Sequence, residues 1–143
     1  MHDTLNEIDQ NAFSQCCNLQ TVIVNDNISE LATFTFYQCK SLKNITIGKN
    51  VSKICVNCFQ SCETLTTVVF LNPYTEIESG GFRQCTNLPT ISLPNEISKI
   101  SNYMFYQCSS LQSITIPSSV TIIGVEAFSG CQKLMEINIP DSV

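Results

Sequence analysis

The residues of this chain most able to do chemistry are nine cysteines, three of which stand close together in Cys55-Val-Asn-Cys58-Phe-Gln-Ser-Cys62. Two thiols separated by two residues have the spacing of a shared zinc ion or of a redox pair. There is no second pair at zinc-finger spacing, and the single histidine is His2. The sequence therefore favours packing for these thiols over a metal site or a redox pair, and we expect no cofactor.

Nucleophilic catalysis requires a serine or cysteine, a histidine base and an orienting carboxylate. With one histidine near the terminus, this arrangement cannot be assembled. The acidic residues are scattered through the chain, and no glycine-rich phosphate loop is present. We expect that the protein is not an enzyme.

Six of the cysteines belong to a regular pattern. Each follows a phenylalanine by three residues, and the phenylalanines recur every 23 residues. A fixed period of this length is typical of a chain built from copies of one structural unit. We predict one domain, residues 1–143, with a half-repeat over residues 1–12 and six repeats that start near Phe13, Phe36, Phe59, Phe82, Phe105 and Phe128.

Each repeat contains two periodicities. Alternating β-branched residues, as in Ile114-Thr-Ile116, predict a short strand. The three-residue spacing of Phe-x-x-Cys-x-x-Leu predicts a short helical or 3-10 turn. One such unit cannot bury its own apolar face, so the copies must stack. Tyr74 occupies an inward position of the third copy, so the pattern predicts that its side chain faces the core. We predict a curved solenoid with a parallel sheet on its concave face and the turns on its convex side.

The cysteine column has a structural interpretation. A buried thiol is a small apolar filler and a weak hydrogen-bond donor. The wide outer side of a curved solenoid disfavours disulfides between neighbouring repeats. The N-terminus shows no signal-peptide pattern, and we expect reduced thiols and a cytoplasmic location rather than a cell-surface one. Three glycosylation sequons, at Asn27, Asn44 and Asn50, are sites only in a secreted chain.

The unit running from Ile123 through Ala127-Phe128, Cys131 and Leu134 to Ile137-Asn-Ile139-Pro140 resembles the 23-residue leucine-rich repeat of the BspA-like (Treponema pallidum-type) family. The resemblance covers all six copies. It implies a leucine-rich-repeat α/β horseshoe that recognises proteins. Members of that family are often surface proteins or adhesins of bacteria and parasitic protists.

The outward strand positions are the candidate binding surface. They form a hydroxyl-rich, nearly uncharged strip, which is either a consequence of the strand preference of threonine or a recognition platform. No aromatic residue or arginine stands among them, so the residue types that contribute most to tight protein interfaces are missing. These positions are Thr21, Ile23, Asn44, Thr46, Thr67, Val69, Thr90, Ser92, Ser113, Thr115, Glu136 and Asn138.

Charge and hydropathy limit the partners. The formal charge of −5 argues against binding nucleic acid, and no apolar run approaches the length of a membrane span. Four lysines in the second repeat (Lys40, Lys43, Lys49 and Lys53) indicate a solvated face. Apolar residues at both ends of the array predict a homo-oligomer that forms through an end.

Two roles are compatible with these features. The first is an intracellular scaffold or regulator that docks on a partner protein, such as a phosphatase, as some intracellular leucine-rich-repeat proteins do. The alternative, which the family resemblance favours, is a cell-surface adhesin that binds host or matrix protein. The sequence favours the first, because no signal peptide is visible and the thiols are expected to be reduced.

Overall fold

Residues 5–143, which the computed structural model describes, form a solenoid of stacked coils. In each of the first five coils, a first strand lies on one side of the solenoid, and these strands pair in parallel in one three-stranded and one two-stranded sheet. Their bounds are β1 (Thr21–Ile23), β3 (Asn44–Ile47), β5 (Thr67–Phe70), β7 (Thr90–Ile91) and β9 (Ser113–Ile114). In the last coil, only a parallel bridge between Thr115 and Asn138 continues this row.

The first five coils also have a second strand, two residues long, which the sequence pattern does not reveal. These strands also pair in parallel, in one three-stranded and one two-stranded sheet. Two residues are too few to show an alternation, so such strands carry no signal in the sequence. Their bounds are β2 (Glu30–Leu31), β4 (Lys53–Ile54), β6 (Glu76–Ile77), β8 (Lys99–Ile100) and β10 (Ile122–Ile123).

The 23-residue period sets the register of every paired strand. Thr21 lies beside Asn44, which lies beside Thr67, and Leu31 lies beside Ile54 in the same way. Equivalent residues of successive repeats therefore stack in columns. The predicted solenoid of stacked repeats with parallel strands is confirmed, although its strands form several sheets and not a single one.

The phenylalanine column is the centre of the core. Consecutive rings from Phe13 to Phe128 stack with centroids 5.4–5.9 Å apart and interplanar angles of 2–14°. Rings that stack in parallel at this separation attract each other beyond their area burial. Each ring between Phe36 and Phe105 is buried and has a partner on both sides.

The turn that carries each phenylalanine is not helical, so the prediction of a helical or 3-10 turn was wrong. Residues 5–143 contain no helix, and hence none that could cross a membrane. The amide of Ser14 donates to the carbonyl of Asn11 (2.9 Å), as in a 3-10 turn, but the amide of Phe13 donates to Thr35 of the next coil (2.9 Å).

This alternation has a structural reason. A 3-10 helix directs every amide back into its own coil, whereas stacked coils require bonds to the next coil as well. The chain meets this need with left-handed φ angles at two positions in each coil, two residues before and two residues after the column phenylalanine. They are Asn11, Phe34, Asn57, Gly80, Tyr103 and Glu126 in one row, and Gln15, Gln38, Ser61, Gln84, Gln107 and Gly130 in the other.

Tyr74 is 66% exposed, so its predicted inward orientation was wrong. The chain slips by one residue here, and Thr75 is buried instead, with 0% exposure. The Thr75 hydroxyl donates to the carbonyl of Val51 at 2.7 Å. A buried hydroxyl is tolerated when it is hydrogen-bonded, which allows the third repeat to depart from the pattern.

Both rows of strands are interrupted between the third and fourth coils. The amide of Thr66 donates to Lys43 of the preceding coil, but the equivalent residue one repeat later, Pro89, has no N–H to donate. Strands β5 and β7 accordingly belong to separate sheets.

On the other side of the same junction, side chains replace ladder bonds between β6 and β8. The amide and hydroxyl of Ser98 donate to the Glu76 carboxylate at 3.2 and 3.1 Å. The hydroxyl of Ser101 donates to the carbonyl of Ile77 at 2.6 Å. The coils stay connected although the sheet does not continue.

Candidate protein-interaction surface

The structure places the twelve outward strand positions where the sequence predicts them. We call these residues the strand face. Eleven are exposed to solvent, and Thr46 is half-buried between its neighbours. Their outward placement follows from the alternation of each strand, because the residues between them, such as Ile45 and Ile114, are buried.

Strand register arranges the strand face in two rows. Thr21, Asn44 and Thr67 stand side by side in the first row, and Ile23 lies beside Thr46 in the second. The bridge between Thr115 and the last coil extends the second row. The strand face is therefore a continuous surface several coils wide.

Hydroxyl and amide groups dominate this surface. Glu136 is the only charged residue among the twelve. The apolar members are Ile23 and Val69, which are 77% and 41% exposed. Neutral hydrogen-bonding groups suit a protein surface or peptide better than a highly charged ligand.

A groove of 460 Å³ opens at the junction of the third and fourth coils. Its walls include Val69 and Leu71 on one side and Ser92 and Pro94 on the other. Leu71 is 54% exposed and stands where the following repeats have a proline. The groove lies at the interruption of the sheet caused by Pro89.

A second groove, of 310 Å³, continues the first one toward the fifth coil. It shares Ser92, Leu93 and Asn95 with the first and adds Ser113 and Thr115. No charged residue lines either groove. Neither groove was predicted from the repeat pattern, although Pro89, which stands one repeat after Thr66, signals the interruption of the sheet.

The lysines of the second repeat do not form a basic binding site. Three of them make exposed ion pairs: Lys40 with Glu63 (3.2 Å), Lys49 with Asp26 (2.8 Å) and Lys53 with Glu78 (2.9 Å). The pair with Lys49 lowers the pKa of Asp26 through a side-chain hydrogen bond. This agrees with the predicted solvated face.

The cysteine column is a ladder of thiol hydrogen bonds. The Sγ of Cys39 donates to the carbonyl of Phe13 at 3.0 Å, and the Sγ of Cys85 donates to Phe59 at 3.3 Å. The same bond is made by Cys62, Cys108 and Cys131. Burial raises the pKa of the Cys39 thiol to about 11, which disfavours the reactive thiolate.

Cys55, Cys58 and Cys62 also lie in the core. Cys58 and Cys62 have 0% exposure and Cys55 has 8%. Burial raises the pKa of Cys58 well above its ordinary value. Within residues 5–143, no group of three or more histidine, cysteine or acidic side chains is arranged to hold a metal ion. His2 lies outside the described residues.

The repeat geometry can be compared with known proteins. The model of the BspA type leucine-rich repeat region, which has six copies, matches residues 1–83 and residues 54–143. The chain belongs to this family. The resemblance drawn from the spacing of Phe, Cys and Leu is confirmed.

Solved structures of the family share the coil geometry. The T. pallidum leucine-rich repeat protein TpLRR is 29% identical with a TM-score of 0.82, and the match covers 86% of this chain and 60% of that one. A leucine-rich cell surface protein from Faecalibacterium prausnitzii A2-165 is 29% identical with a TM-score of 0.68, covering 96% of this chain and 44% of that one.

A leucine-rich repeat protein from Eubacterium ventriosum ATCC 27560 is also similar, with 28% identity and a TM-score of 0.81 over 94% of this chain and 36% of that one. The chain thus spans 60% or less of the length of these three relatives. No curated protein matches the chain.

Proposed function

We propose that this BspA-type repeat chain is a non-catalytic module that binds a partner protein through the strand face, which we place on the concave side of the solenoid. The observation that carries the proposal is the exposure of two rows of neutral hydrogen-bonding side chains across successive strands. Stacked repeats characteristically offer such an extended surface for binding. The grooves beside Ser92 add concave sites for apolar side chains of the partner.

Substitutions on the strand face test this proposal. Thr67→Arg and Ser92→Arg place a bulky charge beside the first groove, and Gln132→Arg places the same charge on an exposed position outside the two rows. Proteins captured from the source cell by the parent chain should be retained by Gln132→Arg and lost by the other two variants. Equal capture by all three variants would place the binding site elsewhere.

Two roles, at different cellular locations, are candidates. An intracellular scaffold, acting on a partner such as a phosphatase, is supported by thiols that are buried and hydrogen-bonded to carbonyls. A cell-surface adhesin is supported by the F. prausnitzii relative, which is described as a cell surface protein. Labelling intact source cells with a membrane-impermeant amine reagent distinguishes them, because only surface protein is modified.

Self-association through the solenoid ends is a further part of the proposal. Phe13 in the first coil is 39% exposed and borders an apolar pocket of 150 Å³, and Ile139 and Val143 in the last coil are 55% and 47% exposed. Exposed coil ends favour pairing. Light scattering of the 143-residue polypeptide should give a mass above that of a monomer, and a monomer at micromolar concentration would contradict this part.

A further inference from the structure

A second surface lies on the turns, away from the strand face. We call it the turn edge. It consists of the residues two positions before and one position after each column phenylalanine. In order these are Asn11, Ser14, Phe34, Tyr37, Asn57, Gln60, Gly80, Arg83, Tyr103, Tyr106, Glu126 and Ser129.

The turn edge contains the residue types that the strand face lacks. Three of the four tyrosines and the single arginine of the chain stand here. Tyrosine and arginine are enriched among the residues that contribute most to protein binding. The strand face has neither.

Arg83 and two tyrosines form one cluster. The guanidinium carbon of Arg83 lies 4.7 Å from the ring centre of Tyr106 and 5.6 Å from that of Tyr103. The two rings meet edge to face at 5.9 Å. Such cation–π contacts hold the guanidinium in place without using its hydrogen-bond donors.

No acidic side chain among the described residues neutralises the Arg83 guanidinium. The ion pairs among residues 5–143 involve Lys40, Lys49 and Lys53, and none involves Arg83. The Nε of Arg83 is buried and has no hydrogen-bond partner. Because the tyrosine rings hold the guanidinium through cation–π contacts, its terminal nitrogens can still donate to a carboxylate.

The backbone of the cluster is strained. Tyr103 has a φ of +56°, a conformation that bulky residues rarely adopt. Gly80, one repeat earlier in the same row, adopts φ +67° without this strain. The same left-handed conformation recurs at this position in every repeat, so it follows from the stacking of the coils and does not by itself mark a site. The fold accommodates glycine at this position, yet a tyrosine stands beside Arg83.

The surroundings indicate what the cluster binds. The amide chain beside it is uncharged, with Gln84 accepting from Ser61 and donating to Gln107, each at 3.0 Å. A polyanion is disfavoured, because one arginine on a chain of net charge −5 cannot neutralise many phosphates. A single carboxylate matches the planar fork of the guanidinium, and apolar atoms beside it match the tyrosine rings.

We propose that Arg83, Tyr103 and Tyr106 form a docking site for a protein segment that presents one glutamate or aspartate next to an apolar side chain. The carboxylate bonds to the terminal nitrogens of the Arg83 guanidinium, while the apolar neighbour packs against the rings. This site is independent of the strand face and does not depend on its proposed function.

A peptide array tests the site with the whole polypeptide. Each 12-residue peptide carries one glutamate beside leucine or phenylalanine, and each is paired with its glutamine counterpart. The parent protein should bind glutamate peptides about tenfold more tightly than their counterparts, measured by fluorescence anisotropy. The single Arg83 Nε–H resonance should shift when such a peptide is added.

Variants distinguish this site from others. Arg83→Gln should abolish the discrimination between glutamate and glutamine peptides, and Tyr106→Leu should weaken it. Lys133→Gln, which removes an exposed positive charge elsewhere, and Ser92→Arg on the strand face should leave it unchanged. The proposal is overturned if the parent protein does not discriminate between glutamate and glutamine peptides, or if Arg83→Gln still does. It is also overturned if Ser92→Arg loses the discrimination and the Arg83 resonance of the parent does not shift on peptide addition.

Discussion

Alkaline pH should destabilise this protein through its buried thiols. Cys58, Cys62, Cys85 and Cys108 all have 0% exposure. Burial raises the pKa of each of these thiols above its ordinary value, because the interior disfavours the thiolate. The unfolded chain has no such restriction. As the pH rises above the thiol pKa of the unfolded chain, the unfolded state loses protons that the folded state keeps.

The sign and size of the effect follow from proton linkage. The stability contributed by the neutral thiols is fully present below about pH 8.5 and decreases above it, by about 1.4 kcal/mol per thiol per pH unit. Four thiols then reduce the free energy of unfolding by about 5–6 kcal/mol at pH 9.5. This is comparable with the whole stability of many domains, about 5–15 kcal/mol.

Urea unfolding at pH 7 and pH 9.5 with a reductant present, followed by circular dichroism, measures this loss. Cys85→Ala should be less stable than the parent at pH 7 because of the cavity, but should lose about 1.4 kcal/mol less than the parent between the two pH values. Met104→Ala removes an equally buried side chain without a thiol and should lose as much as the parent. A parent stability that does not change up to pH 9.5, or equal losses in Cys85→Ala and the parent, would refute the reasoning.

The remaining predictions concern the stack and its accessible thiols. Phe59→Ala should lower the free energy of unfolding by about 3–5 kcal/mol. Phe13→Ala should lower it by less than half as much, because that ring is 39% exposed and has one stacked neighbour. Equal losses would contradict nearest-neighbour stacking. Gly124→Ala should destabilise by about 1–3 kcal/mol, because its Cβ would lie 2.6 Å from a backbone nitrogen of the preceding coil, and a melting temperature equal to that of the parent would be inconsistent with this contact. In a thiol-reagent assay of the reduced native protein at pH 8, Cys16 and Cys17 should react rapidly, because both are exposed. A third rapidly reacting thiol would show that the cysteine column is accessible to the reagent.

The sequence predicts most of the regular part of this fold. Because the period is constant at 23 residues, assigning one copy assigns the register of all of them, as the pairing of Thr21 with Asn44 illustrates. Alternation within each strand then separates inward Ile45 from outward Thr46. The strand face could therefore be listed residue by residue, although its role as a binding site stays a prediction.

The turns could not be predicted in the same way. A spacing of three residues is shared by a 3-10 helix and by successive turns with left-handed residues, and the two differ only in where alternate amides point. Bulky residues such as Phe34 and Tyr103 normally argue against left-handed φ angles. Only the requirement that amides reach the next coil decides between the two structures, and this is a property of the stack rather than of one repeat.

Departures from the repeat were visible but could not be interpreted locally. Tyr74 has the offset of an inward residue, and only the one-residue slip that buries Thr75 turns it outward. Within its own repeat, Pro89 is only a substitution next to a strand. Its effect appears in the stack, where its missing N–H removes a hydrogen bond to the preceding coil. In a repeat protein, one altered residue acts on two coils at once, and its effect depends on the neighbour.

Specific recognition by such a protein must come from these departures. A uniform stack offers the same chemistry at every coil, so a partner could bind in several equivalent registers along it. The fourth repeat removes this degeneracy on both sides of the solenoid. Pro89 interrupts the sheet and opens the groove beside Ser92, and Arg83 supplies the one guanidinium of the turn edge. A partner that used either feature would be fixed in register by a single coil, which is why substitutions at these positions separate specific docking from general adhesion to the stack.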